Sequence, residues 1–227
     1  MLKLLSGQVS WHRGPLTLAD KKANDIIEYG LNKLSVNFPI LSEEGNETPY
    51  EDRKYWEYFW LVDPLDGTKE FVKKNDEFTV NIALIHIDTP VLGVVYAPVL
   101  DVCYWAKKNK GSFKDGKKLP LETVKKCNTY KIVASRSHMS NETQAFIDAI
   151  DTDKEKELIS VGSSLKICLV AEGEADIYPR LGPTMEWDTG AAHAIINEAG
   201  KAAYQFKSES TLIYNKEDLL NPWFIVK

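Results

Sequence analysis

Apolar residues at Leu18, Ile26, Ile27, Leu31 and Leu34 recur with a roughly helical spacing and predict an amphipathic helix over 17–34. Thr17 with Asp20 supplies a capping-box-like start. The run Pro39-Ile40-Leu41 reads as a short strand ending at Glu43-Glu44. Residues 45–55 are polar, contain a proline and read as a loop. The continuous apolar run Tyr58–Val62 predicts a buried strand closed by Asp63-Pro64, and strand-like segments follow at 78–87, 90–97 and 101–106. Asp115-Gly116 is a hairpin-turn signal. The polar, lysine-rich stretch 114–129 marks a boundary between two halves, 1–129 and 130–227. The second half predicts a strand at 130–134, a helix at 141–150 and a strand at Leu158–Val161. A helix capped by Ser163 then runs to about Glu172, followed by a strand at Ala175–Tyr178. A helix over Trp187–Glu198 is stopped by Gly200, and the last strand falls near Trp223–Val226. Hairpin-like pairs in the first half and irregular alternation afterwards predict a layered α+β fold, not an all-parallel doubly wound sheet.

Composition narrows the function classes. The 227 residues are 44% apolar, so a packed interior needs no covalent staples. The formal charge of −5 lacks the basic footprint of proteins that coat nucleic acids or anionic membranes. Cys103, Cys127 and Cys168 are odd in number and widely spaced, which argues against a disulfide framework or zinc knuckle and for a reducing compartment. No apolar run approaches the ~18 residues of a membrane span. Residues 1–15 lack a signal-peptide pattern. A cytoplasmic protein is expected, with peripheral attachment at the inner membrane as the variant.

The chemistry lies in three acidic clusters, each at the edge of an apolar segment: Glu43-Glu44, Asp63 with Asp66, and Asp188. Acids gathered in one cleft repel each other, and a hard divalent cation with oxygen ligands relieves that repulsion. In Asp63-Pro64-Leu65-Asp66-Gly67-Thr68, Pro64 interrupts the ladder and brings Asp66 within one short loop of Asp63. Two carboxylates and the Leu65 carbonyl make a site for one or two Mg²⁺ ions, and a helix opening at Thr68 offers amides to a phosphate. Each feature also has a plain structural reading. Asp66 is a helix cap, Glu43-Glu44 a solvated loop, Asp188 an acid at a helix start and Asp20 a capping-box member. The sequence has no P-loop, dinucleotide-binding glycine fingerprint, His-Glu-x-x-His or Gly-x-Ser-x-Gly pattern, and its four histidines share no zinc spacing. Water activated by metal is therefore the economical nucleophile.

Together the Glu-Glu pair, Asp-Pro-Leu-Asp-Gly-Thr and the late Trp187-Asp188 resemble the lithium-sensitive, magnesium-dependent phosphatases related to inositol monophosphatase. Within that family the passages DPLDGTKEFVKKNDEFTVNIALI, PVLGVVYAPVLDVCYW, SRSH and GSSLKICLVAEGEADIYPRLGPTMEWDTGAAHAI are most similar to the CysQ-type 3′(2′),5′-bisphosphate nucleotidases. The resemblance runs from about Gly14 to Lys227 and implies a layered α-β-α-β-α sandwich holding two or three Mg²⁺ ions. It implies Glu43, Asp63, Asp66, Asp188 and the Leu65 carbonyl as metal ligands, with Asp20 reaching a further ion through water. It implies Thr68, with Glu43, as the group that orients and activates water, and the Gly67 and Thr68 amides as phosphate donors. His138, Ser163, Lys166 and Arg180 match residues that hold the nucleotide. Read singly, Lys166 is a solvated charge, Arg180 a surface ion-pair partner and Ser163 an N-cap. The implied reaction takes adenosine 3′,5′-bisphosphate to AMP, and its sulfated form to adenosine 5′-phosphosulfate, in a monomer or homodimer. Residues 1–13 do not match the family pattern, and Gly14-Pro15-Leu16-Thr17 replaces the Ser-Pro-(Val/Leu)-Thr stretch, so the first helix is expected to be missing or altered. An inositol or sugar-phosphate phosphatase on the same metal core is the nearest alternative. A catalytically weak nucleotide- or metal-binding regulator is the alternative of another class.

Overall fold

The computed structural model describes residues 18–121, 128–135 and 139–227, so the Thr17 cap lies outside the described residues. The alternating segments of the first half assemble in chain order. β1 (Ile40–Ser42), β2 (Tyr58–Asp66), β3 (Thr79–His86), β4 (Thr89–Ala97), β5 (Val102–Lys107), β6 (Gly111–Lys114) and β7 (Lys117–Lys118) form one seven-stranded sheet. β1 pairs parallel with β2, and every later pair is antiparallel. The Asp115-Gly116 turn between β6 and β7 has both residues at positive φ, 47° and 78°, as a tight two-residue hairpin requires.

β2 is buried without a break from Phe59 to Leu65 because it is covered on both faces. α1 (Leu18–Leu31) packs on one side, and α6 (Gly190–Glu198) lies across β3, β4 and β5 on the other. Gly93 makes the α6 contact possible, since a Cβ there would lie 2.1 Å from the Ala191 carbonyl oxygen. α5 (Leu165–Glu172) packs beside α6 in the same layer. Beyond them lie a parallel pair, β8 (Thr129–Ser135) with β9 (Glu155–Val161), and an antiparallel trio, β10 (Tyr178–Arg180), β12 (Phe224–Val226) and β11 (Ala203–Gln205). The Val133 amide donates to the Ile177 carbonyl at 2.9 Å and ties pair to trio. α4 (Asn141–Asp148) covers the outside, packing Ile147 against Ile132, Ala134 and Ile177. The layers therefore run α-β-α-β-α. Phe59, Leu61, Ile85, Val95, Ile195, Ile196 and Phe224 form a core shared by the seven-stranded sheet, α6 and the trio.

Several elements differ from expectation for identifiable reasons. α1 exposes Leu18 and Ile26 and buries Asp20 and Asn24, because its inward face meets polar groups: Ser42 Oγ donates to Asn24 Oδ1 at 2.6 Å, and Leu34, past the helix end, is exposed too. Residues 45–55 contain a one-turn helix, α2 (Tyr50–Arg53), opened by Pro49. β2 passes through Pro64 to Asp66, with a register shift that absorbs the missing amide. The strand expected at Ala175–Tyr178 lies at Tyr178–Arg180, paired with β12. Ser164 occupies the N-cap position of α5 without a side-chain cap, and Ser163 before it, at a positive φ of 46°, accepts the Leu165 amide on its hydroxyl at 3.5 Å. α6 begins at Gly190, because residues 184–189 form a turn held by their own side chains. No helix among the described residues is long and apolar enough to cross a membrane.

Candidate active site

The site grows from the broken end of β2. With no N–H at Pro64, the ladder to β3 slips between Asp63 and Asp66, and the Leu65 amide turns back to donate to Asp63 Oδ1 at 3.0 Å. Gly67, at φ 92°, then reverses the chain into α3 (Thr68–Lys73). The Thr68 hydroxyl lies 3.4 Å from both Asp20 Oδ1 and the Leu65 carbonyl oxygen. Parallel pairing puts Ser42 opposite Val62, and the Glu43 amide donates to the Val62 carbonyl at 3.1 Å, which brings Glu43 beside Asp63. Asp188 arrives from the second half on the 184–189 turn, its Oδ2 accepting from the Met185 amide at 2.8 Å.

One carboxylate oxygen each from Glu43, Asp63 and Asp188 lies within 4.8 Å of the others. Asp63 Oδ2 is enclosed without a hydrogen-bond partner. Asp66 lines the same cavity but stands outside this trio. Its Oδ2 accepts from the Ser164 amide at 2.5 Å and the Asn81 side-chain amide at 3.3 Å, with the Thr79 hydroxyl at 3.4 Å. Asp20 is buried at Thr68, also outside the trio.

The acids hold protons tightly. Burial, then Asp188, Glu44 and Asp66, push Glu43 up to about 8. Burial and then Asp66 raise Asp188 to about 7. Burial, followed by Glu43 and its other acidic neighbours, holds Asp63 well above the usual carboxylate range. Three converging all-oxygen donors, one with an orphaned buried atom, fit a hard divalent cation.

The cavity is about 230 Å³, and the cations Lys166 and Arg180 line it along with the acids. Lys166, in the first turn of α5, is buried and donates to the Ser163 carbonyl at 2.5 Å; burial lowers it to about 8 while Asp66 opposes the fall. Arg180 donates through Nε to Thr184 Oγ1 and through Nη2 to the Pro183 carbonyl, both at 2.6 Å. Lys166 is thus buried, not the solvated charge that its local sequence suggests, and half-buried Arg180 bonds to Thr184 and Pro183 where its local sequence suggests a surface ion pair. Gly67, Thr68, Leu65 and Ser163 also line the cavity, and His138 lies outside the described residues.

Sequence reasoning missed Ser164, Asn81, Thr79 and Glu70. Thr79 and Asn81 did carry a signal: two polar residues at positions i and i+2 on a buried strand face, next to the acidic motif. Glu70, on α3, lines the cavity and packs against Gly162. Only the fold brings it there.

A layered sandwich that brings an acid trio, a buried lysine and an arginine into one cavity suits a metal-assisted enzyme of anionic substrates. Residues 6–223 match the inositol monophosphatase family, and the chain belongs to that family, whose enzymes use divalent metals. The 3′(2′),5′-bisphosphate nucleotidase CysQ of Salmonella typhimurium is 46% identical over 212 residues, which cover 93% of this chain and 85% of that protein. The CysQ nucleotidase of Escherichia coli K12 is 44% identical over the same shares of the two chains. The crystal structure of CysQ from Bacteroides thetaiotaomicron superposes with a TM-score of 0.88 at 48% identity, covering 96% of this chain and 86% of that one. Inositol monophosphatase II of Staphylococcus aureus shares the fold, with a TM-score of 0.73 at 23% identity over 91% of this chain and 78% of that one.

Proposed function

We propose that the protein removes the 3′-phosphate of adenosine 3′,5′-bisphosphate, giving AMP and inorganic phosphate, and takes the same phosphate from the sulfated nucleotide. The observation that carries this reading is a single cavity lined both by the Glu43–Asp63–Asp188 trio and by Lys166 and Arg180, whose charges act on Asp188. A substrate with two anionic groups suits that polarity, and the CysQ proteins of Salmonella typhimurium and Escherichia coli K12, similar over 93% of this chain, are 3′(2′),5′-bisphosphate nucleotidases.

Glu43, Asp63, Asp66, Asp188 and the Leu65 carbonyl are the residues to hold two or three Mg²⁺ ions, with Asp20 serving a further ion through water. When bound, the ions neutralise the acids and the phosphoryl oxygens and lower the pKa of coordinated water. Glu43 and Thr68 orient the attacking water, whose oxygen forms the new bond to phosphorus as the bond to the ribose 3′-oxygen breaks. The Gly67 and Thr68 amides hold the phosphate undergoing attack. Lys166 and Arg180, with Ser163 and His138, hold the nucleotide and its 5′-phosphate; the forked donors of Arg180 suit an oxyanion. Residues 1–129 thus bring most of the metal ligands, and residues 130–227 bring Asp188 and the nucleotide contacts. We place the reaction in the cytoplasm, a reading supported by the unpaired thiols Cys103 and Cys168.

Phosphate release from adenosine 3′,5′-bisphosphate, inositol monophosphate and fructose bisphosphate, with and without Mg²⁺, tests the proposal. Fastest turnover of the nucleotide, dependent on Mg²⁺ and inhibited by millimolar Li⁺, is expected. Preference for inositol monophosphate, or nucleotide binding without release, would overturn it.

A further inference from the structure

Behind Asp188, residues 213–221 run past the 184–189 turn without forming a named strand. The two segments are bonded along their length. The Glu186 amide donates to the Leu219 carbonyl at 2.9 Å, and the Asn221 amide donates to the Thr184 carbonyl at 2.8 Å. Asn221 Nδ2 reaches the Met185 carbonyl at 2.9 Å and Thr189 Oγ1 at 3.0 Å. The fully buried Glu186 carboxylate accepts the Asn215 amide at 2.7 Å and the Lys216 amide at 3.1 Å, and it pairs with the Lys216 ammonium.

The same segment also holds α2, whose Arg53 lines a second cavity together with Glu43 and Trp187. Arg53 is buried on α2, in the stretch that follows Glu43-Glu44. Its Nη1 donates to Asn215 Oδ1 at 2.9 Å, and Asn215 Nδ2 returns a bond to the Arg53 carbonyl at 2.9 Å. Its Nη2 donates to the Glu217 carbonyl at 2.9 Å. Asn215 therefore bonds to the Asp188 turn through its backbone and to α2, which borders the Glu43 cavity, through its side-chain amide. Its φ of 61° lies in the left-handed region, which asparagine enters more readily than most residues.

We propose that Asn215 is a positioning residue that fixes the spacing of Glu43 and Asp188 across the metal cluster. The inference rests on the metal-centre reading above. A partner bonded directly to a metal ligand commonly carries about 10- to 100-fold of metal affinity, and Asn215, acting one contact further out through Glu186 and Arg53, is expected at the lower end of that range.

Asn215→Gly in the full chain tests this, because glycine keeps the left-handed backbone and removes only the amide. Mn²⁺ affinity, read by electron paramagnetic resonance in the absence of substrate, should fall about 10-fold. The half-activating Mg²⁺ concentration should rise by a similar factor, while KM at saturating Mg²⁺ holds within about twofold. Asn215→Asp keeps an acceptor for Arg53 Nη1 and should recover part of the affinity. Arg53→Lys, which removes the fork from the opposite side, should reproduce the loss and serves if the glycine variant does not fold. Unchanged Mn²⁺ affinity in these variants, or a raised KM with unchanged Mn²⁺ affinity, overturns the inference. Wild-type protein that binds no Mn²⁺ overturns it together with the metal-centre reading. Wild-type protein that binds Mn²⁺ but prefers inositol monophosphate sinks the substrate reading alone, and the affinity loss in Asn215→Gly then still supports the inference.

Discussion

Asp63 and Asp188 reach the same cavity by opposite means. Asp63 sits on β2, the second strand of the seven-stranded sheet, between β1 and β3, and its backbone is placed by those ladders up to the register shift that follows it. Asp188 sits on an irregular turn whose shape is set by buried side chains: Glu186, Asn221 and Thr189. A ladder-held acid tolerates changes in its neighbours, since each backbone bond is independent of side-chain identity. A side-chain-held acid inherits the fragility of every partner, because deleting one leaves another buried polar group unsatisfied.

The most severe break comes at the ladder-held acid itself. Asp63→Asn should lower kcat/KM by more than about 100-fold, beyond the range expected for outer partners. The backbone should be unchanged, and without metal the variant should melt higher than wild type near neutral pH. Removing a carboxylate that is buried among other acids relieves repulsion and desolvation. Paired assays and melting curves check both signs. Loss of activity accompanied by a lower metal-free melting temperature would mean that Asp63 is structural.

A second break enters through glycine. A Cβ at Gly162 would meet Glu70 Cγ at 2.7 Å and the Glu77 carbonyl oxygen at 2.8 Å, and the backbone oxygen cannot swing away. Gly162→Ala should cost about 1–3 kcal/mol, as overpacking does. It should also move the start of α5, and with it the Ser164 amide that holds Asp66. Urea titration and kcat together report it; a stable variant with normal kcat would show that α5 is not rigidly tied to the metal arm.

How far the sequence foretold this contrast follows from the same physics. The strands of the first sheet were legible because period-2 patterning and the Asp-Gly turn are local signals. The acids at segment edges were legible in the same way, and Glu43, Asp63 and Asp188 converge as expected. Helix α1 was placed correctly, but its buried face was misjudged. Apolar spacing marks Leu18 and Ile26 as core, whereas the groups awaiting the helix are Ser42 and Thr68, which choose Asn24 and Asp20. The Arg53–Asn215–Glu186 connection was not legible at all. Its members are far apart in the chain and carry no period, and each reads locally as a surface polar residue.

A milder test uses pH. In the folded, metal-free chain Glu43 lies at about 8 against its ordinary 4.5, and Asp188 at about 7 against 3.8. The folded state then holds protons that the unfolded chain has released. Stability must fall as pH rises from about 4.5 to about 8, and the penalty is complete above the folded values. The metal-free melting temperature should drop by at least about 2–4 °C between about pH 6 and pH 8.5, the shift that one kcal/mol gives at this size. Mg²⁺ should restore more at the higher pH, because it replaces those protons. Calorimetry in chelator and in excess Mg²⁺ measures both slopes; a metal-free stability that rises across this window would refute the electrostatic account.

The smallest effect is the sharpest probe of the comparison. Thr79 is fully buried on β3, with its hydroxyl 2.8 Å from Ser164 Oγ and 3.4 Å from Asp66 Oδ2. Ser164 Oγ donates to Asn81 Oδ1 at 2.8 Å, so its proton is committed and Thr79 is the donor in their shared bond. Thr79→Val keeps the shape and removes that donor. Asp66 retains the Ser164 amide and the Asn81 side chain, and Ser164 retains Asn81. The loss should be about 0.5–1.5 kcal/mol, the net value of one hydrogen bond, with Mn²⁺ affinity within about threefold of wild type. Denaturant midpoints and Mn²⁺ titration on the same preparation give both numbers. A loss of metal affinity as large as that expected for Asn215→Gly would mean that the sheet-borne acids depend on side-chain partners as heavily as Asp188 does, and the distinction between the two arms would disappear.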